Sequence, residues 1–409
     1  FLKRAGSVEN TCLDQILTER RPAVNFGTHS FHVFQTWRII HDTHLTPGIH
    51  GNKIAKKAGF CRRVRKEGDF MSKRRMKERG TARKDVGFSR RGKFAAATAL
   101  LLCLCTAFSG CAGSETATSR QAELRAEAKQ YDQAVNEQGI AVDLSENPYY
   151  MKEHPEFQYS QPETITYDSE VTGTKRHANI LLPADYDADR QYPVLYLLHG
   201  LDGSHRTWKN KDGHIILQNL TYLYGVPEMI VVFPNSAVNE NENPDGLSLR
   251  EKVEAYDRTE EDLVTSLMPY INSHYSVKPG RENTAVAGNS MGGRNALNTA
   301  FRHPELFGYV GAFSSARVLG DPDSSGKSAM APLIREFTVD PSAGNFEMLM
   351  LCVGRQDDVC GAETYRIHEN MTENGVEHIF YDMEGGHQNT VWQNALYNFG
   401  LRLFGGTET

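Results

Sequence analysis

The chain has 409 residues, 39% of them hydrophobic and 23% charged, with a formal net charge of −6 at pH 7; this length allows more than one domain. The small net charge conceals an asymmetry, because residues 1–93 hold 22 Lys plus Arg against 8 Asp plus Glu while residues 94–409 hold 23 against 43. The basic stretch stands directly before an apolar run, as an export signal requires, which argues against a nucleic-acid-binding arm; no nucleic-acid partner is expected.

Residues 1–70 form a basic extension without sustained periodicity, expected to be disordered or absent from the mature protein. Residues 71–110 read as an export signal: Met71 opens a basic n-region, and Phe94 to Ser109 (FAAATALLLCLCTAFS) is an apolar core too short and too rich in small residues for a permanent span. Ser89-Arg90-Arg91 is similar to a twin-arginine signal, but Phe94 is displaced by one residue from that pattern, so ordinary Sec export is preferred. Phe108-Ser109-Gly110-Cys111 resembles a bacterial lipobox, which implies lipid attachment at Cys111 and a membrane-anchored or otherwise extracellular protein. Phe108 departs from it, standing where an aliphatic residue is usual. Residues 111–158 are expected to be a tether and lead-in, with a charged helical candidate at Gln121 to Val135 and a proline- and aromatic-rich approach from Asn147. A folded domain is expected at residues 159–405, and no internal repeat or carbohydrate-binding module is evident.

Within that domain the pattern predicts an α/β fold, a mostly parallel sheet sandwiched by helices. Glu163 to Tyr167 and Ala178 to Leu182 read as opening strands, and Tyr192 to Leu198 (YPVLYLL) is an apolar strand that breaks at His199-Gly200-Leu201-Asp202-Gly203. Met229 to Phe233 (MIVVF) has the continuous apolar character of a strand buried on both faces. The polar segment after Pro234, with Asn239 to Gly246, is either a rim that shapes the substrate site or a solvated connection. Its carboxylates lack the spacing of a calcium loop, so no metal is expected. Helices are predicted at Glu260 to Ser273, Arg294 to Phe301, Ala362 to Asn374 and Val391 to Phe404.

Gly288-Asn289-Ser290-Met291-Gly292-Gly293 lies between a strand and a helix. A G-x-S-x-G run in that setting is a nucleophile elbow, and it nominates Ser290. A serine hydroxyl needs a histidine base, which in turn needs an acid to fix its tautomer. Downstream, the strand Phe346 to Val353 runs into Gly354-Arg355-Gln356-Asp357-Asp358, nominating Asp357, with Asp358 as its competitor one residue away. The strand His378 to Asp382 leads to Glu384-Gly385-Gly386-His387, nominating His387 as the base. The backbone N–H groups of Met291 and Leu201 are the expected oxyanion donors. His199, Trp208 and Trp392 are candidate substrate contacts; the two tryptophans, with Tyr256, serve equally as aromatic faces for a sugar or phenolic ring or as packing. Cys352 and Cys360 bracket the acid loop and read as two free thiols in preference to a disulfide.

These marks in this order resemble the esterase family of the α/β-hydrolases that holds the feruloyl and acetylxylan esterases of carbohydrate esterase family one, S-formylglutathione hydrolase, enterochelin esterase and mycolyltransferases. The resemblance runs from about Tyr159 to Phe404. It rests on Tyr192 to Gly200, Glu261 to Ile271, the elbow, Gly354 to Asp357, and Gly385-Gly386-His387 with Val391-Trp392. Asn289 departs from it, standing where many relatives carry a hydrophobic residue. The resemblance implies the α/β-hydrolase fold, a Ser-His-Asp acyl-enzyme mechanism and no cofactor. With export, it points to plant cell-wall esters, a feruloylated or acetylated polysaccharide or phenolic ester. Enterochelin-type esters, acyl transfer, and a silent surface-anchored binding protein remain alternatives, and oligomeric state is not legible.

Overall fold

The computed structural model describes residues 118–131, 135–145, 147–320 and 333–405. The expected extension, the export signal and Cys111 lie outside the described residues. Eight strands form one sheet: β1 (Glu163–Asp168), β2 (Lys175–Leu181), β3 (Val194–Leu198), β4 (Ile230–Pro234), β5 (Thr284–Asn289), β6 (Tyr309–Phe313), β7 (Met348–Gly354) and β8 (Ile379–Met383). Their order is β1-β2-β4-β3-β5-β6-β7-β8. The β1/β2 and β2/β4 pairs are antiparallel, and every pair from β4 to β8 is parallel.

The continuous apolar runs follow from this position. In β3, β4, β5 and β7 every residue is buried, because helices cover both faces of the sheet. Successive side chains point to opposite faces, so Leu195 and Leu197 enter one core while Val194, Tyr196 and Leu198 enter the other. The helices are α1 (residues 118–131), α2 (Gly213–Tyr224), α3 (Leu249–Asp257), α4 (Thr259–Asp262), α5 (Met268–His274), α6 (Met291–Arg302), α7 (Gly361–Glu373) and α8 (Asn389–Gly400). The helix predicted at Glu260 to Ser273 is α4 and α5 joined through a π turn at Leu263–Leu267.

The lead-in segment is built into the domain from residue 118 onward. Leu124 and Ala128 of α1, with Ile140, Ala141 and Leu144, join the core shared by α2 and α8. Ala141 exchanges hydrogen bonds with α8, its N–H donating to Asn398 Oδ1 at 2.9 Å and its carbonyl accepting from Asn394 and Asn398 at 2.8 and 2.9 Å. Charge on one face of α1 concealed a short apolar stripe on the other.

The polar segment after β4 is a connection rather than a rim. Arg176 of β2, fully buried, donates to the carbonyls of Ala237 and Asn239 at 3.1 and 3.2 Å and pairs through Nε with Asp262 at 3.2 Å. The Tyr167 hydroxyl donates to the same carboxylate at 2.7 Å. This cluster draws the segment down onto the sheet, and α3 within it carries a Ser248/Glu251 capping box. Replacing Arg176 with methionine strands Asp262 as a buried unpaired charge. Urea unfolding is expected to show a loss of about 3–5 kcal/mol, partly recovered when Asp262→Asn is added.

Candidate active site

The carboxyl ends of β3, β5, β7 and β8 converge at one edge of the sheet, where open α/β sheets gather their ligands. Ser290 follows β5 with φ 56° and ψ −119°, a left-handed conformation that costs a non-glycine residue energy. Surrounding bonds hold it there: its N–H donates to Phe313 O at 2.9 Å, and its carbonyl accepts from Arg294 and Ala316 at 3.1 and 3.0 Å. The flanking glycines are a packing requirement, since a Cβ at Gly288 would strike the backbone of Gly292, and one at Gly292 the carbonyl of Leu198.

His387, on the loop after β8, presents Nε2 to Ser290 Oγ at 3.0 Å and Nδ1 to Asp357 Oδ2 at 2.9 Å. With Nδ1–H donating to the carboxylate, the Nε2 lone pair is free to accept from the serine hydroxyl. The other carboxylate oxygen of Asp357 accepts from the N–H groups of Val359 and Cys360 at 3.0 and 2.8 Å. Burial alone would raise this carboxyl, but the bonds from His387 and the Cys360 N–H outweigh it and hold it down at about 2. Asp358 is exposed on the same turn, outside this arrangement. The acid and base loops are clamped together: Gln356 N–H donates to Gly385 O at 2.9 Å, and Gly385 N–H to Gln356 Oε1 at 2.6 Å.

Leu201 and Met291 both border the cleft beside Ser290. Met291 is the first residue of α6, so its N–H has no intrahelical acceptor. The loop carrying Leu201 is fixed from beneath. His199, 1% exposed, accepts from Ser236 N–H at Nε2 (2.9 Å) and donates from Nδ1 to Gly200 O (2.8 Å). Burial pushes its imidazole down to about 4, so it stays neutral. The buried Tyr256 hydroxyl donates to the same carbonyl at 2.8 Å. Trp208 is buried too, its Nε1 donating to Leu198 O at 2.9 Å and its ring lying edge-on to Phe313.

His199 and Trp208 therefore do not line the cleft, contrary to the expectation that they touch substrate; both spend their polar atoms on backbone groups at or just beyond the ends of β3 and β4. Trp392 does line it, packed edge-on against His387 with ring centroids 5.0 Å apart. Sequence reasoning missed the other lining side chains, among them Lys211, Arg317, Val359, Cys360 and Glu363. They come from turns and helix starts without a periodic signal. The cleft measures about 560 Å³, within the range of small-molecule sites. Cys352 and Cys360 are separate buried thiols, each pushed up to about 12 by burial. Iodoacetamide at pH 8 is expected to leave both unmodified in the folded protein, and peptide mass spectrometry to find both modified after denaturation.

Residues 169–402 match the model of the family described as "Putative esterase". The chain belongs to this esterase family. Its esterase domain is 30% identical over 185 residues to an endo-1,4-beta-xylanase/feruloyl esterase of Xylanibacter ruminicola, a match covering 44% of this chain and 24% of that protein. It is 25% identical over 232 residues to an acetyl esterase of Caldicellulosiruptor saccharolyticus, covering 50% of this chain and 80% of that one. Among solved structures it is similar to a family-one ferulic acid esterase of Anaeromyces mucronatus, at 30% identity and a TM-score of 0.58, covering 65% of this chain and 99% of that one. The same enzyme in complex with ferulic acid matches at 31% identity and a TM-score of 0.55, covering 63% and 96%. The esterase domain thus has the α/β-hydrolase fold of the feruloyl esterases, while the chain spans about a quarter of the Xylanibacter relative's length.

Proposed function

We propose that the chain is an exported serine esterase that cleaves carboxylic esters on plant cell-wall polysaccharide, feruloylated or acetylated xylan, through an acyl-enzyme on Ser290. The observation that carries the reading is the hydrogen-bonded line from Ser290 Oγ through His387 to Asp357, at 3.0 and 2.9 Å, opening into a cleft bordered by Leu201 and Met291. In the first step Ser290 Oγ attacks the ester carbonyl as His387 Nε2 takes its proton. The oxyanion is met by the Met291 and Leu201 N–H groups, each such donor being worth roughly 10²–10³ in rate. Collapse expels the alcohol, which receives the proton from His387. Water, deprotonated by the same nitrogen, then attacks the acyl-enzyme and releases the acid. Asp357 keeps its charge throughout and stabilises the imidazolium.

The substrate class draws its support from the relatives' names, a xylanase/feruloyl esterase and an acetyl esterase, and from the resemblance of residues 71–111 to a lipoprotein export signal. Lipidation at Cys111 would hold the esterase at a membrane surface. The test is product release by the chain from methyl ferulate, feruloylated arabinoxylan and acetylated xylan in parallel. Ferulate release supports a feruloyl esterase, and acetate alone an acetylxylan esterase. Silence on all three from folded protein rejects the cell-wall reading and turns attention to siderophore esters or acyl transfer.

A further inference from the structure

Lys211 ends a short 3-10 turn, Lys209–Lys211, that follows Trp208. The turn is tied to α8 by Gln393, whose Nε2 donates to Lys211 O at 2.9 Å. The side chain borders the cleft, with its ammonium 3.9 Å from the Trp392 ring centroid and 5.3 Å from that of Trp208. Two indole faces thus orient a cation, and no carboxylate lies within salt-bridge distance of it among the described residues. The two acidic side chains of the same cleft are already engaged elsewhere, Asp202 with Lys252 at 2.6 Å and Glu363 with Arg366 at 2.9 Å. Burial pushes the ammonium down to about 8, which leaves it charged at neutral pH but poorly hydrated.

The position of this charge relates it to the reaction. Trp392 lies 5.0 Å from His387 and Lys211 3.9 Å from Trp392, which puts the ammonium within about 9 Å of the imidazole that hands a proton to the departing alcohol. A sugar ring is about that size with its substituents. A desolvated ammonium with three N–H donors gains most from an anionic acceptor, because charge-assisted bonds are roughly twice as strong as neutral ones.

We propose that Lys211 is a specificity-determining residue that binds a carboxylate carried by the alcohol part of the ester, as a uronic acid sugar presents it. The assignment rests on the serine-esterase reading of this cleft. The aromatic pair fixes the ammonium in advance of binding, so little side-chain entropy is lost when the carboxylate arrives.

The test uses a matched pair of esters, the same acyl group on methyl glucuronoside and on methyl glucoside, the acyl group being whichever of feruloyl and acetyl the protein releases from its p-nitrophenyl ester. The wild type is expected to favour the glucuronoside ester, less so as salt rises. Lys211→Met is expected to raise KM for that ester about tenfold or more, with kcat changed much less and a much smaller loss on the glucoside ester. Lys211→Arg is expected to keep most of the preference. Equal use of both esters by the wild type, or an equal loss on both in Lys211→Met with no rescue by arginine, overturns the assignment while leaving the esterase reading intact. Failure to hydrolyse even the p-nitrophenyl esters overturns the reading itself, and the assignment with it.

Discussion

Ser290→Ala is expected to lower ester turnover by about 10⁶-fold, to the level supplied by the oxyanion donors and binding alone. The substitution removes one oxygen from an elbow whose shape is set by backbone bonds to Phe313, Arg294 and Ala316, none of which uses the hydroxyl. Alanine meets the same positive φ that serine already bears, so the melting temperature should stay within a few degrees of the wild type. His387 then faces the cleft with its Nε2 acceptor unoccupied and no proton to take. Initial rates on p-nitrophenyl acetate and methyl ferulate, beside thermal melts, measure both sides of the expectation. Turnover surviving within tenfold would exclude Ser290 as nucleophile. The reading of a silent, surface-anchored binding protein makes a different forecast, in which wild type and variant are equally inactive.

Asp357→Asn carries the second large effect, a fall in kcat of about 10⁴-fold. The amide would preserve size but present a donor toward Nδ1, favouring the tautomer whose Nε2 is protonated and unable to accept from Ser290. Asp358→Asn, one residue along on the exposed side of the turn, is expected to stay within twofold of the wild type, and rates for the two variants compared directly decide the assignment. Ionisation of Asp357 also enters stability. Its carboxyl is held at about 2 against an ordinary 3.8, so its contribution is complete above the ordinary value and is lost as pH falls through about 2. Acid unfolding of Asp357→Asn should therefore lack the part of the pH dependence that the wild type shows in that window.

The chemistry of this chain was more legible than its walls. Ser290, His387 and Asp357 each follow an apolar strand on a glycine-bearing loop, and the sheet brings the ends of β5, β7 and β8 side by side. The choice between Asp357 and Asp358 was a matter of one residue of register, which backbone geometry settles and periodicity does not. Helix α2, with ten of its residues buried, was not read from the sequence, although His214, Gln218 and Thr221 recur at helical spacing. Strand β6 is five residues long and carries a glycine, Gly311, where a Cβ would press on Ala287 and Phe399. Helix α3 was signalled by Ser248 and Glu251, a capping box within a segment otherwise polar enough to pass for loop. His199 and Trp208 look like binding residues in a list of aromatic and titratable side chains. Only the fold reveals that Ser236 N–H and Leu198 O claim them first.

The most direct measurement is rapid-quench mixing of the chain with p-nitrophenyl acetate, with p-nitrophenol read at early times and the acid-quenched protein digested for mass spectrometry. The account predicts a burst approaching about one equivalent of p-nitrophenol per protein, provided deacylation is the slower step, and an acetyl group on the peptide containing Ser290. A burst of p-nitrophenol with no acyl group at Ser290, or an acyl group found on another residue, would contradict it.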